Sequence, residues 1–258
     1  MLTIIQALLL GVLQGVTEWL PISSSGHLAI AQHYLGLGLQ VPIAFDVMLH
    51  VATLLVILVF FRRDIWDMLA AAARRDFGSP HGRLFLLIIV GMVPTAIIGL
   101  ALRSFFESMF SSMAAIAGAL IITGTILVLS RRGSGSKELG WLSAALVGIG
   151  QGIAVAPGIS RSGATIGTAL FAGIKREQAV RFSFLLAAPA IAGAMLFEAG
   201  SLAMSGIAMP ALAAGFAASF IVGSLSLKLL IRLVAQKRFS WFAVYCFALG
   251  IALLLAAF

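Results

Sequence analysis

The sequence predicts an all-α polytopic membrane protein, an inverted-topology repeat with six full transmembrane helices and two re-entrant helix pairs. Three observations predict it. Of the 258 residues, 61% are apolar and 10% charged, against about 25% charged in an ordinary soluble domain. With a mean hydropathy of +1.11, the chain can neither coat a soluble core with polar residues nor stay disordered. The apolar runs are continuous, which excludes the alternating segments of a β-barrel. Finally, one polar segment recurs at a fixed offset, and the charge of the loops around it is reversed.

Region 1–40 is apolar but broken by Gly, Pro and Ser. Non-helical backbone survives inside a bilayer only where protein or a water-filled cavity satisfies its amides, so this region is expected to re-enter as a helix pair. It has neither the basic start nor the small-residue cleavage site of a signal peptide, and Gln14, Glu18 and His27 mark it as a retained segment. Full crossings follow at 45–61, 84–102 and 113–130. Region 139–175 is broken in the same way and is expected to form the second re-entrant pair. Crossings at 182–198, 212–228 and 240–257 complete one membrane domain over residues 1–258, with halves of about 1–135 and 138–258. The four tryptophans, Trp19, Trp66, Trp141 and Trp241, fit interface belts. Cys246, the single cysteine, is expected to be a packing residue.

The net charge is +8, from 17 Lys+Arg against 9 Asp+Glu. In a soluble chain that balance would point to nucleic acid. Here the cations sit in short loops without interleaved aromatics and read as topology, so no nucleic-acid partner is expected. Fifteen of the 17 fall in four loops, which carry Arg62, Arg63, Arg74, Arg75 and Arg83; Arg131, Arg132 and Lys137; Lys175, Arg176 and Arg181; and Lys228, Arg232, Lys237 and Arg238. If 1–40 and 139–175 re-enter, all four loops lie on one face, the cytoplasmic one by the positive-inside rule. Both termini then lie outside, with loop 103–112, whose only cation is Arg103, and loop 199–211, which has none.

Residues 11–27 (GVLQGVTEWLPISSSGH) and 148–164 (GIGQGIAVAPGISRSGA) share seven identities at an offset of 137. Loop 62–83 is Arg-rich where its counterpart 199–211 lacks cations, and loop 103–112 is cation-poor where 229–239 is rich. Two halves of opposite orientation explain the reversal. Such folds place their site near the midplane, where the broken helices of both halves meet.

Ionisable groups at membrane depth are costly and point to function. Gln14 and Glu18 share a helical face, and a carboxylate with an amide oxygen suits Mg²⁺ completed by phosphate oxygens. The alternative is a polar pair bonded to a neighbouring helix. The turn Pro157–Gly163 opens a helix whose N–H groups, with Ser160, Ser162 and the planar fork of Arg161, suit phosphate. A helix cap with a snorkelling arginine is the plainer reading. His27 ends the equivalent turn of the first half, where an imidazole can serve as acid, base or nucleophile or simply hold structure. Asp46 and His50, four residues apart, read as a structural pair. Together these groups describe a membrane-embedded site for a phosphorylated ligand, suited either to phosphoryl transfer or to transport of a phosphorylated lipid.

Gln14-x-x-x-Glu18 followed by Pro21-Ile22-Ser23-Ser24-Ser25-Gly26-His27 resembles the first signature of the undecaprenyl pyrophosphate phosphatase (bacitracin-resistance) family, and Pro157-Gly158-Ile159-Ser160-Arg161-Ser162-Gly163-Ala164-Thr165 resembles its second. The resemblance implies hydrolysis of undecaprenyl pyrophosphate to the monophosphate and inorganic phosphate, which recycles the lipid carrier for cell-wall polysaccharide synthesis. It implies a bacterial plasma-membrane location, a site open to the outer face, and Mg²⁺ or Ca²⁺ as cofactor. Carried over by position, Glu18 binds metal together with Gln14 or positions the attacking group, and Arg161 holds the pyrophosphate. Ser160, Ser162, Gly163 and Thr165 complete the anion cradle, with Gln14 and Ser25 as further substrate contacts. His27 and Ser23 or Ser24 are the acid/base or nucleophile candidates. Gln14 stands where many members have Glu, which favours one metal ion held by Glu18 and substrate oxygens. A transporter or flippase of a phosphorylated polyprenyl lipid is the alternative function. The glycine-rich spans also admit a homodimer.

Overall fold

A computed structural model describes residues 2–37, 43–133, 135–202 and 207–256, and the described residues are helical with no named strand. Helix α1 (Ile4–Trp19) starts at a capping box, in which the Thr3 hydroxyl accepts from the Gln6 N–H and the Gln6 side chain bonds back to Thr3. A turn leads into α2 (Ser24–Tyr34). The long α3 (Ile43–Phe60) bends by 75° into α4 (Arg62–Ala73). Ser79 caps α5 (Pro80–Ala101), after which come the short α6 (Arg103–Met109) and α7 (Met113–Leu129). The second broken pair is α8 (Trp141–Ile153) and α9 (Arg161–Phe171). Helices α10 (Arg176–Leu202), α11 (Met209–Ala235) and α12 (Phe242–Ala256) close the fold.

Five helical segments are long and apolar enough to cross a bilayer, and the bent α3–α4 pair brings the number to six. They cover the six predicted crossings, with α10 running past its expected end at 198. Residues 38–42, 203–206 and 257–258, which hold parts of the predicted first broken region, the loop 199–211 and the last crossing, lie outside the described residues.

Two elements depart from the sequence reading, which left 62–83 and 103–112 as loops. Helix α4 is short and amphipathic. It buries Met68 and Ala71 while Trp66 and Leu69 stay exposed, and four consecutive alanines, 70–73, favour helix. Helix α6 is held by an ion pair from Arg103 Nε to Glu107 Oε1 at 2.6 Å, one turn apart.

The packing is reciprocal between the halves. Helix α1 lies along α11, and α8 lies along α5. Glycine permits both approaches. A Cβ on Gly11 would stand 2.3 Å from Gly215 O, and one on the equivalent Gly148 would stand 2.1 Å from Gly91 O. The two halves also meet through α3 against α10. The core centres on Trp19, Phe182, Phe184 and Leu186, with Trp19 edge-on to Phe184 at 5.4 Å. Trp19 is therefore a core residue, not the interface anchor expected of it: the C-terminal end of α1 is packed inside the protein, while its N-terminal part keeps Ile5 and Leu9 exposed. Trp66, Trp141 and Trp241 are exposed, and Cys246 is fully buried. At the cation-rich loops, Arg181 pairs with Asp64 and Lys175 with Glu138. Lys175 and Gln178 hold the Glu138 carboxyl below the usual carboxylate range.

Candidate active site

The turns after α1 and α8 meet in the interior. Ser23 caps α2 and Ser160 caps α9, each accepting from the N–H three residues on, at Gly26 (3.3 Å) and Gly163 (3.1 Å). Ser23 also accepts the Gly158 N–H at 3.0 Å, which fastens one turn to the other. Gly158 has φ 93°, a backbone region that glycine enters at little cost. Thr123 locks the second turn from α7, donating to Gly158 O (2.9 Å) and accepting from the Ser160 N–H (3.0 Å).

At this junction sits Glu18, its side chain 1% exposed. Arg161 donates to Oε1. Ser24 Oγ donates to Oε2 at 2.6 Å and Gln14 Nε2 to the same oxygen at 3.0 Å, while His50 Nε2 stands 3.6 Å away. Ser24 and Arg161 occupy equivalent positions of the repeat, 137 residues apart, and are the first residues of α2 and α9. One carboxylate is thus gripped by the leading residue of two helices whose positive ends converge on it. A buried ion pair persists only when further hydrogen bonds complete it, and Ser24 and Gln14 supply them. The arrangement is an anion cradle with Glu18 as its resident anion.

A cavity of about 1070 Å³ opens from this point. Glu18, Ser23, Ser24, Ser25, Ser160 and Arg161 line its head. Thr95 of α5, Ala190, Ile191, Ala194 and Met195 of α10 and the α6 residues Arg103 and Glu107 are among those that line the rest. These parts of α5 and α10 are the ends remote from Arg83, Arg176 and Arg181, so the cavity extends away from those cations.

Not every expected residue faces this cavity. Gln14 lies behind Glu18, fully buried. Ser162 pairs with Ser160 at 3.2 Å, Gly163 donates its N–H to the cap, and Thr165 bonds Arg161 O and Ser183. These three support the turn from behind. His27 turns away altogether: its ring nitrogens reach Ser23 O and the Tyr245 hydroxyl, and it lines a separate cavity of about 490 Å³ with Arg238, Trp241 and Tyr245.

The main cavity also holds Gln32, Asp46 and His50. Asp46 and His50 were expected to pair with each other. Instead His50 Nδ1 bonds the Asp46 backbone carbonyl at 2.8 Å, the Asp46 carboxylate takes both its bonds from Gln32 Nε2 at 2.9 and 3.0 Å, and His50 Nε2 faces Glu18. The same rule that singled out Glu18, an ionisable group inside an apolar span, applies to both residues.

The chain matches the family described as Bacitracin resistance protein BacA over residues 7–252. It belongs to the BacA family. A protein named undecaprenyl-diphosphatase from Desulfosudis oleivorans is 46% identical over 264 residues, covering 95% of this chain and 96% of its own. Proteins of the same name from Korarchaeum cryptofilum and Carboxydothermus hydrogenoformans are 40% and 42% identical, each covering at least 95% of both chains.

The donor set of this BacA-family chain limits how a divalent cation would be held. Among the described residues, no three His, Cys, Asp or Glu gather into a metal-binding group. Glu18 offers one carboxylate on the cavity wall, and the buried Gln14 Oε1 behind it has no hydrogen-bond partner. An unpartnered buried amide oxygen is a hard ligand awaiting a donor or a cation. The residues therefore fit a cation that draws most of its ligands from phosphate oxygens and water, not one caged by protein.

Proposed function

We propose that this chain is an undecaprenyl-diphosphatase, removing the terminal phosphate of undecaprenyl pyrophosphate and returning the monophosphate carrier for cell-wall polysaccharide synthesis. The observation that carries this reading is the convergence of Glu18, Ser24 and Arg161, drawn from both halves of the chain, at the head of one large cavity. The diphosphate takes the Arg161 guanidinium from Glu18, in bidentate fashion, between the N-termini of α2 and α9. Freed from Arg161, the Glu18 carboxylate stays within hydrogen-bond reach of Ser24 Oγ and accepts its proton. Ser24 Oγ bonds to the terminal phosphorus, the bond from phosphorus to the bridging oxygen breaks, and undecaprenyl phosphate departs. Water then attacks the phosphorus as the Oγ–P bond breaks, Glu18 returns its proton to Ser24 Oγ, and inorganic phosphate leaves with the oxygen and both protons of the water. Between the two hydroxyls left open by the sequence, Ser24 fits the nucleophile better, because Ser23 Oγ is occupied by two backbone N–H groups.

Mg²⁺ or Ca²⁺ at Glu18, with the Gln14 oxygen behind it, would neutralise charge on the diphosphate. The inverted repeat and the cation-rich loops support a plasma-membrane protein whose cavity opens to the outer face. A homodimer would draw on faces other than Gly91, Gly124 and Gly223, which pack within the chain. The relatives' name favours hydrolysis over transport of the lipid without cleavage. Purified protein in detergent should release phosphate from undecaprenyl pyrophosphate with added Mg²⁺, and EDTA should stop it. Movement of the lipid across liposomes with no phosphate release would refute hydrolysis.

A further inference from the structure

The proposed reaction leaves His27 without a task, although it is a buried imidazole beside the turn that carries Ser24. Its Nδ1 lies 2.7 Å from the Ser23 carbonyl oxygen and its Nε2 lies 2.6 Å from the Tyr245 hydroxyl. The His27 and Tyr245 rings are stacked, with centroids 5.6 Å apart and planes 13° from parallel. A carbonyl can only accept, so Nδ1 carries the ring proton. In the neutral ring Nε2 is then an acceptor, and the tyrosine hydroxyl donates to it. Both nitrogens are engaged, and the ring lies on the wall of the smaller cavity, not the one that holds Glu18.

The residue at the receiving end is unusual. Ser23 has φ 71°, a left-handed conformation that a residue with a Cβ keeps only when its surroundings impose it. Four bonds do so: the His27 ring and the His27 backbone N–H on its carbonyl, and the Gly26 and Gly158 N–H groups on its hydroxyl. Ser24 follows directly and reaches Glu18, and Arg161 follows Gly158 by three residues.

We infer that Tyr245 is a positioning residue for this reaction. It fixes the His27 tautomer whose Nδ1–H holds the Ser23 carbonyl, and His27 acts by that bond rather than by carrying a substrate proton. The inference rests on the phosphatase reading, and it assigns the last helix, α12, a part in the site that neither signature motif contains.

Three substitutions test it in the phosphate-release assay. An asparagine amide nitrogen falls where Nδ1 lies, so His27→Asn keeps the donor to Ser23 without a group that titrates. It should retain at least about a third of kcat, whereas His27→Gln, whose amide reaches the Nε2 position and leaves the Ser23 carbonyl with the backbone N–H of residue 27 alone, should lose about tenfold or more. Tyr245→Phe should lower kcat about three- to tenfold with KM unchanged. Asn as inactive as Gln would make His27 a proton carrier, and Tyr245→Phe at the wild-type kcat would remove Tyr245 from the machinery. The tautomer can be read without turnover, from long-range proton–nitrogen couplings of ¹⁵N-histidine-labelled protein. His27 should be Nδ1-protonated in the wild type and a mixture of tautomers in Tyr245→Phe. An Nε2-protonated ring in the wild type would overturn the inference even if the protein proved to release no phosphate, an outcome that would separately end the phosphatase reading.

Discussion

Ser23 and Ser24 are adjacent and chemically identical, yet the fold gives them different work. Ser23 Oγ receives two backbone N–H groups and ties the halves together, while Ser24 Oγ donates to Glu18 on the cavity wall. Ser24→Ala should therefore reduce phosphate release by at least about 10³-fold and, because Gln14 and Arg161 still bond Glu18, lower the melting temperature in detergent less than Ser23→Ala does. Ser23→Ala should reverse the emphasis, lowering stability by about 1–3 kcal/mol because two buried N–H groups lose their acceptor, and thermal unfolding of the two variants side by side checks this. Glu18 and Arg161 were legible in the sequence because a charge inside an apolar run has no other ready explanation. Gln32, Asp46 and His50 were not. The i, i+4 spacing of Asp46 and His50 offered a local pairing, and only the approach of α2 and α1 to α3 shows that each residue turns to a different partner. The two orphaned oxygens, on Gln14 and its repeat equivalent Gln151, could not be read from spacing either, since hydrogen-bond satisfaction depends on every neighbour in space.

At the scale of elements, the broken helices are held by close backbone contact with the opposite half. Gly148→Ala should force α8 away from Gly91 O on α5 and cost about 1–3 kcal/mol by overpacking, seen as a lower melting temperature. Gly118→Ala, on α7 where a Cβ would meet nothing within 4 Å, should leave stability unchanged or slightly raise it by helix propensity. Equal melting temperatures for the two variants would argue against the close approach. The sequence displayed the long apolar helices and both broken regions, because hydropathy and Gly/Pro/Ser punctuation encode them locally. It concealed α4 and α6. Both are rich in charged residues, and the hydropathy that finds spans reads such segments as loops. Their helicity comes from alanine content and an i, i+4 ion pair.

For the whole molecule, the 137-residue repeat supplies the economy of the site. The positions that carry Ser24 in one half and Arg161 in the other both address a single Glu18, whose own repeat partner is Val155. The two halves share a sequence motif and differ at the positions that carry chemistry, so neither supplies all three groups alone. Orientation can be tested because the native Cys246 is fully buried and stays silent to thiol reagents. A membrane-impermeant maleimide added to intact cells should label Ser111→Cys at the cavity mouth and spare Gly78→Cys on the cation-rich side. The opposite pattern would place the cavity toward the cytoplasm.

In the proposed reaction a guanidinium from the second half holds the phosphate that a serine of the first half attacks. The most direct measurement is the rate of phosphate release from undecaprenyl pyrophosphate by purified Arg161→Ala beside the wild type, both shown to be folded. The expected loss is about 10²–10³-fold or more, the scale of removing a preorganised donor from a developing anionic charge. Release by the variant at the wild-type rate would contradict the account.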